Sequence, residues 1–244
     1  MKILLVEDDN MHADFLMEIV ENALPEFDEI LVAHNGKEAE KLANLHQISA
    51  VVMDLRMKEH NGIEAARTIW AERPHTRILF WSNYSDEAYL RGITRIVPDQ
   101  AAYGYVLKTA TPDKMRLALR AVLIEAQIVV DREVHQIQAQ QMRSRSALTE
   151  FEYLILLDLA LGLPDKAIAM RRKLSLRTVQ NRLLSLYDKL EVESQDQNEM
   201  GIVLNKRTRA VSSAIARKVI NREGLISANK ELSAWLAGQP VPLD

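Results

Sequence analysis

The chain has 244 residues, 48% hydrophobic and 27% charged, a soluble globular balance with room for two domains and a connector. It contains no cysteine, which excludes disulfides and thiolate metal sites. The net charge of −3 is unevenly spread: residues 1–124 carry 14 Lys+Arg against 19 Asp+Glu, whereas 142–222 carry 15 against 9, so an acidic half precedes a basic one suited to nucleic acid.

No apolar run is long enough to span a bilayer. The opening Ile3-Leu4-Leu5-Val6 is too short for a signal peptide and runs straight into acid, so a cytoplasmic location without membrane contact is expected. Lys2 to Val6 reads as a strand, followed at once by Glu7-Asp8-Asp9. Asn10 can cap a helix running to about Asn22, with Met11, Phe15, Ile19 and Val20 as its apolar stripe. Strand Glu29–Ala33 and helix Gly36–His46 come next. Ala50 to Met53 is an apolar run of the kind buried on both faces of a parallel sheet, and it ends on Asp54. Helix Gly62–Ala71, strand Arg77–Trp81, a helix from about Ser85, strand Tyr103–Leu107 and a helix from Pro112 to about Glu125 complete the alternation. Strict β/α alternation implies a doubly wound parallel sheet, here of five strands.

In such a sheet Glu7, Asp8, Asp54, Ser82 and Lys108 all fall at carboxyl ends of strands, where open α/β sheets place their ligands. Clustered carboxylates require a hard cation, and oxygen donors of this kind suit Mg²⁺. A metal and an ammonium together offset the charge of a phosphoryl group passing to a carboxylate, and a hydroxyl such as Ser82 can donate to it. Each residue alone has an ordinary reading, as helix N-terminal charge, a helix cap or a solvated loop residue. Their joint placement favours the chemical one.

The residues Leu5-Val6-Glu7-Asp8-Asp9, Met53-Asp54-Leu55-Arg56-Met57, Asn61-Gly62, Ser82 and Gly104-Tyr105-Val106-Leu107-Lys108 resemble a two-component response-regulator receiver, a flavodoxin-like fold. The resemblance implies Asp54 as phosphoacceptor, with Glu7, Asp8, Asp54 and the Arg56 carbonyl as Mg²⁺ ligands. It also implies Ser82 and Lys108 as phosphoryl contacts and Tyr105 as an aromatic switch. Two departures stand out. Lys58 occupies the place of the family's usual proline. The Ser82–Lys108 spacing is about four residues longer than is usual for the family, with Ile96-Val97-Pro98-Asp99-Gln100 as the insertion, in a region where many receivers dimerise. Trp81 and Asn83 flank Ser82 and are expected to shape access to the site.

The receiver is expected over 1–125, with a connector at 126–146 that reads equally as helical or flexible. Thr149 can cap a helix with Glu152 three residues on, and Gly162 ends it. A short helix near Asp165–Arg172, then Leu174-Ser175-Leu176, then a helix from about Arg177 to Leu190 describe a helix-turn-helix. Lys166, Arg171, Arg172, Lys173, Arg177 and Arg182 populate it with no acid between 166 and 182, which charge alone would allow as a solvated face.

The pattern Leu148-Thr149-Glu150, Gly162-Leu163, Ile168-Ala169, Leu174-Ser175, Thr178-Val179, Asn181, Leu183, Tyr187 and Lys189-Leu190 resembles the LuxR-type DNA-binding domain of the NarL/FixJ class. An all-α domain over 147–227 is expected, with an insertion near 195–206 and a tail at 228–244 that either packs on the domain or meets a partner. The resemblance implies double-stranded DNA contacts from Lys166, Arg177, Thr178, Gln180, Asn181, Arg182, Ser185 and Lys189. Gln180 suits adenine and Arg182 suits guanine. The helix Arg207–Asn221 carries Ala210, Val211, Ala214, Ile215 and Val219 as an apolar stripe, and the resemblance makes it a homodimer contact through Val211, Ala214 and Ile215, while monomer packing would explain the same stripe.

The whole is therefore expected to be a transcription regulator, not an enzyme, partnered by a histidine kinase and by DNA, with RNA polymerase as a further candidate. Two alternatives remain at this point. One is a protein-binding adaptor or phosphate shuttle without sequence-specific DNA binding; the other is a regulator that never uses phosphate.

Overall fold

The computed structural model describes residues 1–57, 60–84, 86–132, 134–135, 147–192 and 204–238. Lys58 and most of the 195–206 insertion lie outside the described residues, as do 136–146 of the connector. The chain divides into two compact units, Met1–Ile137 and Gln138–Asp244.

The first unit alternates β1 (Lys2–Val6), α1 (Asn10–Ala23), β2 (Glu29–Ala33), α2 (Gly36–Leu45), β3 (Ala50–Met53), α3 (Gly62–Glu72), β4 (Arg77–Ser82), α4 (Glu87–Thr94), β5 (Tyr103–Leu107), α5 (Pro112–Leu123) and β6 (Val129–Val130). All pairings are parallel and the strand order is β2-β1-β3-β4-β5-β6. The order reverses between β1 and β3, which opens the crevice of a doubly wound sheet at their carboxyl ends. Leu4, Val51, Ile78 and Phe80 feed one apolar layer, and Ile3, Leu5, Val52 and Leu79 feed the other, as period-2 alternation requires.

The sheet has six strands rather than the expected five. Ile128-Val129-Val130 is β-branched, and without it the edge of β5 would present unpaired backbone groups. Gly104 and Tyr105 pair with Val129 and Val130, and the Asp131 amide donates to the Tyr105 carbonyl at 2.9 Å. Val134 is then buried in the same cluster as Tyr105. Part of the expected connector is thus receiver core.

Two local expectations are corrected in α1. Asp9, not Asn10, is the cap, accepting from the His12 amide at 3.0 Å. The buried stripe is Ala13, Leu16, Ile19 and Val20, whereas Met11 is 81% exposed.

The second unit contains α6 (Glu150–Ala160), α7 (Asp165–Arg172), α8 (Leu176–Lys189), α9 (Lys206–Ala216) and α10 (Arg222–Ala237). Helix α6 is apolar nearly all round, with Tyr153, Ile155, Leu156, Leu157 and Leu159 buried, so it is the axis of this core. The expected boundary at 227/228 falls inside α10. Ala228 and Leu232 are buried in the domain core with Trp235 packed against it, so the expected tail is an integral helix as far as residue 237.

Candidate functional site

Strands β1 and β3 deliver the acids. The Glu7 amide donates to Ala33 and the Asp54 amide to Val6, so both residues leave the sheet at the same level. Lys108 follows β5, and its amide donates to the Ser82 carbonyl at 2.9 Å. Its Nζ reaches back to Glu7 Oε2 at 2.7 Å and Asp54 Oδ2 at 3.2 Å. Asp54 Oδ1 accepts from the Leu55 amide at 2.7 Å. Gly62 permits this packing: a Cβ there would stand 2.0 Å from the Asp54 carbonyl oxygen.

Ligand oxygens of Glu7, Asp8 and Asp54 all lie within 4.8 Å of one another. Burial, and then the charge of Asp54, push the Glu7 carboxyl up to about 7, against the pull of Lys108. Burial likewise raises Asp54 above the ordinary carboxylate range. Two of these three carboxylates, Glu7 and Asp54, share the Lys108 ammonium, and all three offer oxygen donors. That donor set fits a hard divalent cation.

Ser82 is fully buried, and its Oγ accepts from the Tyr84 amide at 3.4 Å. Tyr105 is 1% exposed, and its hydroxyl donates to the Tyr84 carbonyl. Burial, followed by the charges of Tyr89, Asp86 and Asp54, keeps that phenol protonated well beyond its usual range. The Arg56 guanidinium donates to the Tyr84 hydroxyl and lies 5.2 Å from its ring centroid. Tyr84 therefore links Ser82, Tyr105 and Arg56, and sequence reading did not single it out. Its only signal was its place two residues past Ser82. Trp81 is 3% exposed, with its ring against Lys108, so it meets the site from within the core.

In the second unit, α7 ends on Lys173 in the left-handed region at φ 53°, and the Leu174 amide closes back on the Ala169 carbonyl at 2.9 Å. Ser175 then caps α8 by accepting from the Thr178 amide at 3.0 Å, and the two hydroxyls are 2.8 Å apart. Val179, Leu183 and Leu186 anchor α8 in the core, leaving Arg177, Gln180, Asn181 and Arg182 exposed, with Lys166 exposed on α7. Leu184 is 65% exposed on the same face of α8 as Arg177 and Asn181, and charge-based reading passed over it.

Two of the expected DNA contacts, Ser185 and Lys189, are engaged inside the domain. Glu152, 1% exposed, completes the capping box with Thr149 and also accepts from Ser185 Oγ and Lys189 Nζ, each at 2.7 Å. Ser185 and Lys189 thus hold α8 to α6. Arg171 and Arg172 both converge on the fully buried Asp158, at 2.6 Å each. Two of the six cations in the apparent charge run are therefore internal wiring, while Lys173, whose backbone makes the turn, stays exposed.

A model of the response regulator receiver domain family matches residues 3–120. The curated transcriptional regulatory protein YdfI of Bacillus subtilis is 32% identical over 228 residues, covering 90% of this chain and 97% of YdfI. The chain belongs to the response-regulator family, of the NarL/FixJ type. The DNA-binding transcriptional activator DevR/DosR of Mycobacterium tuberculosis is 30% identical, over 85% of this chain and 96% of that one. A structure titled as two RcsB dimers bound to two parallel DNAs shares the fold at a TM-score of 0.55, with 18% identity, 88% of this chain and 98% of the other. This response regulator is accordingly a two-component protein that controls transcription. No described helix is long and apolar enough to cross a membrane.

The expected dimer stripe of this response regulator divides in two. Ala210 and Ala214 are fully buried in the monomer core and Val219 nearly so, which corrects the assignment of Ala214 to a dimer contact. Val211 is partly buried, and Ile215 is 51% exposed. Ile215 lines an open groove of about 600 Å³ with Leu225 and Ile226 of α10.

Proposed function

We propose that Asp54 accepts the phosphoryl group of a kinase phosphohistidine and that this event governs binding of α8 to double-stranded DNA. In the transfer the phosphorus–nitrogen bond breaks as an Asp54 carboxylate oxygen bonds to phosphorus, and the imidazole leaves with a proton. The single observation that carries the reading is the ammonium of Lys108 bridging Glu7 and Asp54 inside an acidic cluster. Glu7, Asp8 and Asp54, with the Arg56 backbone carbonyl, would hold Mg²⁺. Bound there, the metal supplies positive charge against the phosphoryl oxygens. Lys108 meets a phosphoryl oxygen, Ser82 donates to another, and Tyr105 responds through Tyr84.

On the output side, Arg177, Gln180, Asn181 and Arg182 read bases while Lys166 meets phosphate and Thr178 orders the helix start. Pairing of two copies through Val211 and Ile215 fits the dimers named for RcsB, and would present two recognition helices to two half-sites. The domain limits that fit these roles are a receiver to about residue 135 and a DNA-binding domain from 147 to 237.

Treatment with acetyl phosphate and Mg²⁺ should add one phosphoryl group by intact mass, absent in Asp54→Ala and in chelator. Selection from a random duplex pool should then enrich a salt-sensitive site more strongly for the phosphorylated protein. Labelling that survives Asp54→Ala, or an unenriched pool, overturns the corresponding half.

A further inference from the structure

Lys108 is held from two directions, and only one of them belongs to the transfer chemistry. Glu7 and Asp54 hold it through charge. On the other side Nζ lies 4.8 Å from the ring centroid of Trp81, the residue before Ser82 on β4. His12 of α1 brings Nδ1 to 3.4 Å from Nζ, and its ring meets the indole edge-on, with centroids 5.5 Å apart at 83°. Phe15 stacks on the same indole, centroids 5.8 Å apart at 17°. The indole is thereby fixed by α1 and β4 with its face toward the ammonium, in a buried setting where a cation–π contact is strongest.

We propose that Trp81 is the positioning residue for Lys108, keeping the ammonium beside Asp54 while its two carboxylate partners change their roles. The proposal rests on Asp54 as phosphoacceptor. In that reaction Asp54 loses carboxylate charge as its oxygen bonds to phosphorus, and Glu7 turns to a cation. A lysine tethered by those acids alone would be released just when a phosphoryl oxygen needs it, because its four-carbon stem is flexible. The indole neither titrates nor ligates metal, so its hold is the same before and after transfer. His12 closes the wall from the α1 side.

The test uses the full chain labelled with 5-fluorotryptophan, whose three tryptophans are assigned one by one with Trp→Phe variants. In metal-free protein, Lys108→Met should shift the Trp81 fluorine resonance and leave Trp70 and Trp235 in place. Separately, Trp81→Leu should slow Mg²⁺-dependent labelling by acetyl phosphate about three- to tenfold at saturating donor, without changing the half-saturating donor concentration, and Trp81→Phe should recover most of it. Labelling of a folded Trp81→Leu protein at the parental rate, or Trp81→Phe as slow as Trp81→Leu, overturns the proposal. If Trp81→Leu does not fold, the fluorine shift decides, and an unmoved resonance refutes it. If the parent itself is never labelled at Asp54, the phosphoacceptor reading fails, and an unmoved resonance would then refute the Trp81–Lys108 hold as well.

Discussion

Replacing Asp158 by alanine should unfold the second unit more readily than any surface change. Its carboxylate is fully buried on α6, taking Arg171 Nη1 at 2.6 Å, Arg172 Nε at 2.6 Å and Arg172 Nη2 at 2.7 Å. The two arginine side chains are themselves only 5% and 14% exposed. Removing the acid leaves two positive charges inside the domain, and among the described residues the carboxylate still paired with them is Glu231, 3.9 Å from Arg171 and 41% exposed. Breaking such a buried pair costs about 3–5 kcal/mol. For a unit of roughly 100 residues this lowers Tm by more than about 12 °C. Asp158→Asn, which keeps an acceptor, should lose less. The assay is calorimetry of the full chain, in which the receiver transition serves as an internal reference. An Asp158→Ala transition displaced by less than about 1 kcal/mol would show that solvent reaches these arginines and that the buried-pair argument is wrong.

Glu152 is held down to about 2 because hydrogen bonds from Lys189, Ser185 and Thr149 overcome the opposing effect of burial. A depressed folded-state value means its stabilisation is whole above about pH 4.5 and is lost as pH falls toward about 2; urea titrations from about pH 5 to about pH 3 should show a steeper loss in the parent than in Glu152→Gln. Lys189→Ala should lower stability through the same carboxylate and leave the salt slope of DNA binding unchanged, whereas Arg182→Ala should cost about 1–3 kcal/mol of binding and relax base choice at one position. A unit change in the salt slope for Lys189→Ala would return that residue to the phosphate backbone. Ala214→Asp should unfold the second unit, while Ile215→Asp should stay folded and weaken self-association and DNA binding together; sedimentation of the full chain separates the two, and an Ile215→Asp dimer as tight as the parent removes that face from the interface.

The receiver and its acids were legible because strand ends in a doubly wound sheet are a matter of counting. Each of Glu7, Asp54, Ser82 and Lys108 closes an apolar run, and parallel pairing brings run ends to one edge. The helix-turn-helix was legible for a similar reason, since Thr149, Gly162 and Ser175 punctuate it locally. The sixth strand had a signal in Ile128-Val129-Val130, but two paired residues become a strand only when an edge lies beside them.

Local pattern also misread particular side chains whose surroundings come from residues distant in the sequence. Lys189 and Ser185 look like a solvent-facing part of a recognition helix until Glu152, 37 and 33 residues away in sequence, is placed beneath them. Arg171 and Arg172 read as nucleic-acid charge until Asp158 is found buried between them. Ala214 fits an interface stripe equally well before α9 is docked on its own core. The sequence by itself determined the β/α alternation, the Thr149 capping box and the edge at which the acids gather, because these depend on periodicity and near neighbours. Only the tertiary structure decided which charges are spent internally and which remain for a partner, because a long-range ion pair has no spacing that a linear chain can show.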